Sequence, residues 1–327
     1  MIAASCRGFD RWLPGGWGRA SELLSAHGMT VALHPKVDAS FPDGETYVDL
    51  PSFRQGTPVF LHQVLADNSK NGPDAALLAL MVAARAYWQY GAGPITAVVP
   101  FLAYARQDRV IHGQRRPTTS GLIADLLSAA GSSRVVAVQS GSTMNLDRQF
   151  ATPTLWQAGL IRYLADCACH YDTDSTILVA PDTGALGDVR AVAELTGHAV
   201  YAAEKTRLSP EMVRLRAGTV IARPERFRHA LVLDDLVSSA GTVCAAFETM
   251  RRNGIKTFSI AVAHCRLTQT GQERLSALVQ TGELVRLHTT DTVPTDWCSP
   301  ALQVTPFMSA FGPELMAMLN LSLGATK

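Results

Sequence analysis

The sequence predicts an α/β fold made of two similar halves, each a mainly parallel sheet flanked by helices. Two observations lead to this prediction. Short runs rich in β-branched residues alternate along the chain with longer segments whose apolar residues recur at helical spacing. The run at 95–101 is a continuous stretch of β-branched and apolar residues, as expected for a strand covered by helices on both faces. The alternation therefore indicates βαβ units and parallel strands.

The first half shows this order between residues 95 and 140. The segment 95–101 (ITAVVPF) is an uninterrupted apolar run and is predicted to be a strand, followed by a polar loop over 104–120. Residues 121–131 (GLIADLLSAAG) have helical spacing and end on Gly131, a residue type that often follows a helix because it adopts positive φ easily. The next strand is predicted over 134–140 (RVVAVQS).

The same order recurs in the second half. The predicted elements are 176–182 (TILVAPD), 188–197 (DVRAVAELTG), 198–205 (HAVYAAEK), 230–235 (ALVLDD), 243–254 (VCAAFETMRRNG) and 258–265 (FSIAVAHC). A Pro-containing segment interrupts the alternation at 150–156 (FATPTLW), so we place the two halves at residues 1–155 and 156–327. The apolar stripe of the last segment predicts a helix that folds back onto the first half.

The composition excludes several classes of protein. The 327 residues include 29 Lys plus Arg and 28 Asp plus Glu, so the net charge of +1 gives no basic surface for nucleic acids or membranes. No apolar run reaches the ~18 residues of a membrane-spanning helix. The start of the sequence lacks the basic and apolar regions of a signal peptide. The six cysteines are scattered and form no disulfide framework, so we expect a reducing cytoplasm.

A phosphate-binding loop is predicted after the strand at 230–235. Small and hydroxyl-bearing residues occupy 238–242 (SSAGT) before a predicted helix, where backbone N–H groups attract anions. Asp234 and Asp235 end the strand beside this loop, and their carboxylates suit sugar hydroxyls or a bridging Mg²⁺. The alternative is an ordinary strand-to-helix turn with a serine as N-cap and an acidic pair at the strand end.

Residues 233–242 (LDDLVSSAGT) resemble the phosphoribosyl-pyrophosphate signature of phosphoribosyltransferase-like folds. Other segments resemble one family with that fold, the ribose-phosphate pyrophosphokinases (phosphoribosyl pyrophosphate synthetases). They occur in the same order as in that family and at similar spacing. These segments are 41–45 (FPDGE), 104–108 (YARQD), 115–117 (RRP) followed by 121–127, 179–184 (VAPDTG) and 205–207 (KTR). The pair FxDGE and ARQD is specific to the synthetases, whereas the phosphate loop marks only the superfamily.

The resemblance implies that both halves are phosphoribosyltransferase-like. It implies an enzyme that transfers the diphosphate of ATP to ribose 5-phosphate, with Mg²⁺ as cofactor, giving phosphoribosyl pyrophosphate and AMP. It also implies a homo-oligomer, a dimer or hexamer, in which residues 41–45 reach a neighbouring subunit's ATP. The implied site residues are Lys205 and Arg207 as catalytic; Phe41, Asp43, Glu45, Arg106, Gln107 and Asp108 for ATP; Asp234, Asp235, Ser238, Ser239, Ala240, Gly241 and Thr242 for ribose 5-phosphate; and Asp182 for the metal.

The chemistry of these residue types fits the implied roles. Phe41 offers a ring face for adenine, although a core aromatic in a loop is the alternative. Arg106 offers a planar fork for phosphate oxygens, and its alternative is a surface ion pair with Asp108. Lys205 and Arg207 follow a predicted strand in an expected polar loop, where they would neutralise the transferring diphosphate or remain solvated charges.

The chain also departs from the family pattern. Gln139-Ser140-Gly141 stands where the family usually has Asp-Leu-His, and Ala240 places a Cβ where the phosphate loop can require positive φ. A second hypothesis is therefore a non-catalytic or regulatory paralogue that binds nucleotide or sugar phosphate. A third, a phosphoribosyltransferase with a base as acceptor, is disfavoured by the two halves and by the FxDGE segment.

Overall fold

The computed structural model describes residues 1–12, 30–66, 72–108, 110, 115, 117–138, 154–157, 159–207, 213–217 and 226–324. The segment Gln139-Ser140-Gly141, where the chain departs from the family pattern, lies outside the described residues. The same holds for Arg116, which belongs to the family-like segment 115–117. Within the described part, the strands form two sheets and one hairpin, and helices flank both sheets. The α/β prediction with two mainly parallel sheets is confirmed.

The first half contains one parallel sheet and the hairpin. Its strands are β1 (Ile2–Ser5), β2 (Ala32–His34), β3 (Asp38–Ser40), β4 (Thr46–Val48), β5 (Val59–His62), β6 (Ile95–Val98), β7 (Ser132–Ala137) and β8 (Thr154–Gln157). Six of them lie in the order β2-β1-β5-β6-β7-β8 and are all parallel, while β3 and β4 form a separate antiparallel hairpin. The helices are α1 (Arg7–Trp12), α2 (Gly72–Gln89) and α3 (Thr119–Ala129).

The second half contains a sheet of seven strands. They are β9 (Thr176–Ala180), β10 (Ala199–Arg207), β11 (Val213–Ala217), β12 (His229–Val237), β13 (Thr257–Cys265), β14 (Leu284–Thr290) and β15 (Leu302–Thr305). The order is β11-β10-β9-β12-β13-β14-β15, and only β10 and β11 pair antiparallel. The helices are α4 (Leu160–Ala168), α5 (Leu186–Thr196), α6 (Gly241–Arg252), α7 (Gln269–Gln280) and α8 (Phe307–Gly324).

One buried apolar cluster contains residues of both sheets. Phe60 and Val98 from the first sheet share it with Leu178 and Leu233 from the second, and Phe311 of α8 packs among them. Removal of this apolar area from water stabilises the contact between the halves. Phe307 and Phe311 of the last helix belong to this shared cluster, and the Phe311 ring packs on Tyr163 of α4 in the second half. No helix within the described ranges is both long enough and apolar enough to cross a bilayer.

Candidate active site

The turn between β12 and α6 has a strained backbone that its surroundings hold in place. Ala240 has φ 57° and ψ 10°, in the left-handed region that costs a residue with a Cβ on the order of 1–2 kcal/mol. The Ser238 carbonyl accepts a hydrogen bond from the Thr268 N–H (3.3 Å), and the Ser239 carbonyl accepts one from Arg274 Nη1 (2.9 Å). Contacts from α7 and the turn before it thus fix the loop, and such strain is typical of ligand-binding turns.

This turn lines a cavity of about 340 Å³. The positive end of the 12-residue helix α6 begins there at Gly241, and the Ser238, Ser239 and Thr242 hydroxyls lie along the same wall. The cavity is also lined by predicted residues from other segments, namely Arg106, Asp108, Asp182, Asp234 and Asp235. Backbone donors and carboxylates in one cavity suit a ligand that carries both a phosphate and hydroxyl groups.

Asp234 is the most strongly perturbed acid of this cavity. Burial and the neighbouring charge of Asp235 raise the pKa of Asp234 to about 8, and Asp182 adds a smaller effect in the same direction. The Asp235 N–H donates to Asp234 Oδ1 (2.9 Å), which opposes the shift. A cation bound beside these carboxylates, or sugar hydroxyls that donate to them, would stabilise the ionised form.

Asp182 serves partly as a structural residue. Its Oδ1 accepts hydrogen bonds from the N–H groups of Gly184 (2.9 Å) and Ala185 (3.2 Å), immediately before α5. Across the described residues, no group of three His, Cys, Asp or Glu lies close enough together to hold a metal ion. Mg²⁺ is usually bound by one or two carboxylates plus water and substrate phosphates, so carboxylates that line a phosphate cavity still fit it.

A second cavity of about 520 Å³ adjoins the first and lies between the halves. The two cavities share Arg106, Asp235 and Ser238 in their walls. Residues 101–107 after β6 line the second cavity from the first half, and His264 and residues 266–268 line it from the second half. The ends of strands from the two halves therefore enclose one continuous region with two compartments.

The 104–108 segment is held rigidly at this junction. Tyr104 has φ 66°, and its hydroxyl donates to Asp74. Gln107 Oε1 accepts a hydrogen bond from Thr119 Oγ1 (2.6 Å), so this side chain is tied to the start of α3. Asp108 is only 3% exposed, which contradicts the alternative of an ion pair on the protein surface. Arg106 is exposed and lines both cavities.

The predicted adenine-binding segment lies elsewhere. Phe41, Asp43 and Glu45 form the tip of the β3–β4 hairpin, where the Phe41 N–H donates to the Glu45 carbonyl (2.8 Å). The Phe41 side chain is 50% exposed and packs on Tyr47 with ring centroids 4.5 Å apart. The alternative of a core aromatic is therefore wrong. None of the three predicted residues lines either cavity.

Lys205 and Arg207 lie in a strand, which corrects the predicted loop. β10 continues through Arg207, with Lys205 opposite Leu215 and Arg207 opposite Val213 of the edge strand β11. After Ala202, β10 leaves its parallel partner β9 and pairs only with β11 as an antiparallel ribbon. Cross-strand backbone hydrogen bonds satisfy the polar backbone here, so these polar residues extend the strand.

Sequence reasoning missed His264 and Arg266. Both line the second cavity, at the end of β13 and just beyond it. In open α/β sheets, ligands bind beyond the carboxyl ends of the strands, and this position was the available signal. The sequence predicts the strand at 258–265, which places both residues at its carboxyl end.

Comparisons with known proteins point to one family. The sequence model described as the N-terminal domain of ribose phosphate pyrophosphokinase matches residues 21–131. The chain is 31% identical to the ribose-phosphate pyrophosphokinase of Maricaulis maris, covering 86% of this chain and 87% of that protein. It is 30% identical to the ribose-phosphate pyrophosphokinase of Gloeobacter violaceus, covering 89% of this chain and 85% of that protein. The phosphoribosylpyrophosphate synthetase of Mycobacterium smegmatis has a similar fold, with a TM-score of 0.80, 24% identity and 98% coverage of both chains.

Proposed function

The chain belongs to the ribose-phosphate pyrophosphokinase family, and we propose that it transfers the β,γ-diphosphate of ATP to the anomeric hydroxyl of ribose 5-phosphate. In this reaction the anomeric oxygen forms a bond to the β-phosphorus. The bond between that phosphorus and the oxygen bridging to the α-phosphate breaks, AMP leaves, and the hydroxyl proton is released. The products are phosphoribosyl pyrophosphate and AMP.

One observation carries the assignment of ribose 5-phosphate. Three predicted segments, at 106–108, 182 and 234–242, converge on one cavity that combines an anion-binding turn with carboxylates. In the proposed complex, the turn at 238–242 binds the 5-phosphate through N–H groups and hydroxyls. Asp234 and Asp235 accept hydrogen bonds from ribose hydroxyls, and ionisation of Asp234 accompanies binding.

The remaining roles follow from charge and position. When bound, Mg²⁺ would offset the negative charge of the phosphates, and Asp182 is the carboxylate that we assign to it. Arg106 binds the nucleotide phosphates, while Gln107 and the buried Asp108 shape that part of the site. Lys205 and Arg207 stabilise the charge on the transferring diphosphate.

The Phe41 hairpin supports an oligomeric enzyme. The family resemblance implies that Phe41, Asp43 and Glu45 bind the adenine of a neighbouring subunit, in a dimer or hexamer. Their absence from the walls of both cavities of their own chain supports this assignment. All six cysteines are free, in keeping with the reducing cytoplasm that we propose as its location.

Product analysis tests the proposed reaction. With ATP, Mg²⁺ and ribose 5-phosphate, the protein should release AMP in proportion to phosphoribosyl pyrophosphate. Release of ADP would instead indicate transfer of a single phosphoryl group and would contradict the proposal.

A further inference from the structure

Arg266 lies where the two halves meet beside the phosphate loop. Its backbone N–H donates to the carbonyl of Val237 (2.9 Å), the last residue of β12 before that loop. Its guanidinium carbon lies 5.9 Å from the ring centroid of Phe101, which belongs to the first half. The side chain therefore lies beside Phe101 of the first half, and both residues line the second cavity.

The guanidinium of Arg266 has no hydrogen bond or ion pair to any described residue. Two other arginines of this half are engaged: Arg251 pairs with Glu248 and Glu283, and Arg274 donates to the Ser239 carbonyl. Stacking on an aromatic ring occupies the face of a guanidinium and leaves the N–H donors along its edge available. Arg266 is thus half-buried, charged and able to bind an anion.

The two cavities also differ in charge. Among the residues that the structure describes, the first contains four carboxylates, Asp108, Asp182, Asp234 and Asp235, against one cation, Arg106. The described lining of the second contains Arg106 and Arg266 and one carboxylate, Asp235. Burial lowers the pKa of its His264, which keeps that ring neutral. A chain of phosphates is favoured in the second compartment and disfavoured in most of the first.

We propose that Arg266 binds the phosphate chain of the nucleotide from the second half while Arg106 binds it from the first. This inference rests on the proposed function, because it takes ATP as the occupant of the second cavity. Two planar guanidinium groups on opposite walls would hold successive phosphate groups by paired N–H donors. Arg266 is then a substrate-binding residue that makes nucleotide binding depend on contact between the halves.

Calorimetric titrations with full-length protein test this role. ATP with Mg²⁺, adenosine and ribose 5-phosphate are each titrated into wild type, Arg266→Gln, Arg266→Lys and the control Arg251→Gln. Arg266→Gln should weaken ATP binding by about 10-fold or more, as expected for the loss of a charged hydrogen bond. Its affinities for adenosine and ribose 5-phosphate should stay within about twofold of wild type. The ATP affinity of Arg266→Lys should lie between those of wild type and Arg266→Gln, since lysine keeps the positive charge but lacks the paired N–H donors of a guanidinium. The ATP affinity of Arg251→Gln should match that of wild type.

Three outcomes would overturn the inference. Unchanged ATP affinity in Arg266→Gln, while wild type binds both substrates, would refute the role of Arg266 and leave the proposed function intact. Equal losses for ATP, adenosine and ribose 5-phosphate would show that Arg266 only holds the halves together. Wild type that binds neither ATP nor ribose 5-phosphate would overturn the proposed function and this inference together.

Discussion

His264 Nε2 lies 2.8 Å from the carbonyl oxygen of Val138, so a hydrogen bond joins β13 of the second half to the residue after β7 of the first. A carbonyl only accepts, so Nε2 carries a proton, and Nδ1 lies 2.8 Å from the Thr292 hydroxyl oxygen. Burial lowers the pKa of His264, with partial opposition from the Val138 carbonyl and Asp235. The bond between the halves therefore uses a neutral imidazole.

Acid should destabilise the protein at pH values above those at which ordinary carboxylates protonate. Burial lowers the pKa of His62, His229 and His288 to about 4, so between pH 6.5 and about 4 the unfolded chain binds protons that the folded chain does not. Asp234 acts in the opposite direction. Its carboxyl is protonated in the folded protein below about pH 8 but still ionised in the unfolded chain, so this group increases the free energy of unfolding as the pH falls from about 8. Three histidines outweigh one carboxyl, and unfolding near pH 5 should take up about two protons net.

Chemical unfolding at a series of pH values measures this effect. The free energy of unfolding should be greatest near the ordinary histidine pKa of about 6.5 and fall steadily toward pH 4.5. His229→Gln, which keeps a neutral hydrogen-bonding side chain opposite Thr257 and Ser259, should reduce the slope. A stability that stays constant over this range would contradict the assignment of neutral buried histidines.

The phosphate turn should control affinity for the sugar phosphate. Thr242→Ala removes one hydroxyl donor from the cavity wall, and a hydrogen bond to a charged group contributes ~1.5–3 kcal/mol. Ribose 5-phosphate affinity should fall by about 10-fold or more while ATP affinity changes little. Thr242→Ser, which keeps the hydroxyl, is the matched control. A normal ribose 5-phosphate affinity in Thr242→Ala would place the 5-phosphate elsewhere.

The β3–β4 hairpin that carries Phe41 should contribute to the ATP site of a neighbouring subunit. Phe41→Ala removes an exposed ring that lines no cavity of its own chain, and ATP affinity should fall if that ring packs on a neighbour's adenine. Leu195→Ala, which removes another exposed apolar side chain, should leave ATP affinity unchanged. Light scattering should show an oligomer. A monomer that binds ATP normally would contradict this role.

Lys205 should affect rate more than binding. Cations that meet the transferring diphosphate stabilise mainly the transition state, so Lys205→Ala should lower kcat by roughly 10²-fold, with a smaller change in ATP affinity. Lys256→Ala, an exposed lysine outside both cavities, serves as the control. A Lys205→Ala enzyme with wild-type kcat would show that this ribbon takes no part in the reaction.

The sequence allowed the phosphate turn and the alternation of strands and helices to be predicted, because both depend on residues close together in the chain. Ala240 was identified as a position that can require positive φ, and it has φ 57°. The extension of β10 through Arg207 was missed because residues 204–207 are all polar and pair only with the edge strand β11. His264 and Arg266 were missed because their contacts, Val138 and Phe101, lie in the other half.

Nucleotide products measured during turnover test the central claim most directly. Full-length protein is mixed with ATP, Mg²⁺ and ribose 5-phosphate, and AMP, ADP and phosphoribosyl pyrophosphate are quantified over time, with ribose as the unphosphorylated control. The proposed function predicts AMP and phosphoribosyl pyrophosphate in equal amounts, only with the phosphorylated sugar. Binding of both substrates without any AMP would contradict catalysis and favour the regulatory paralogue.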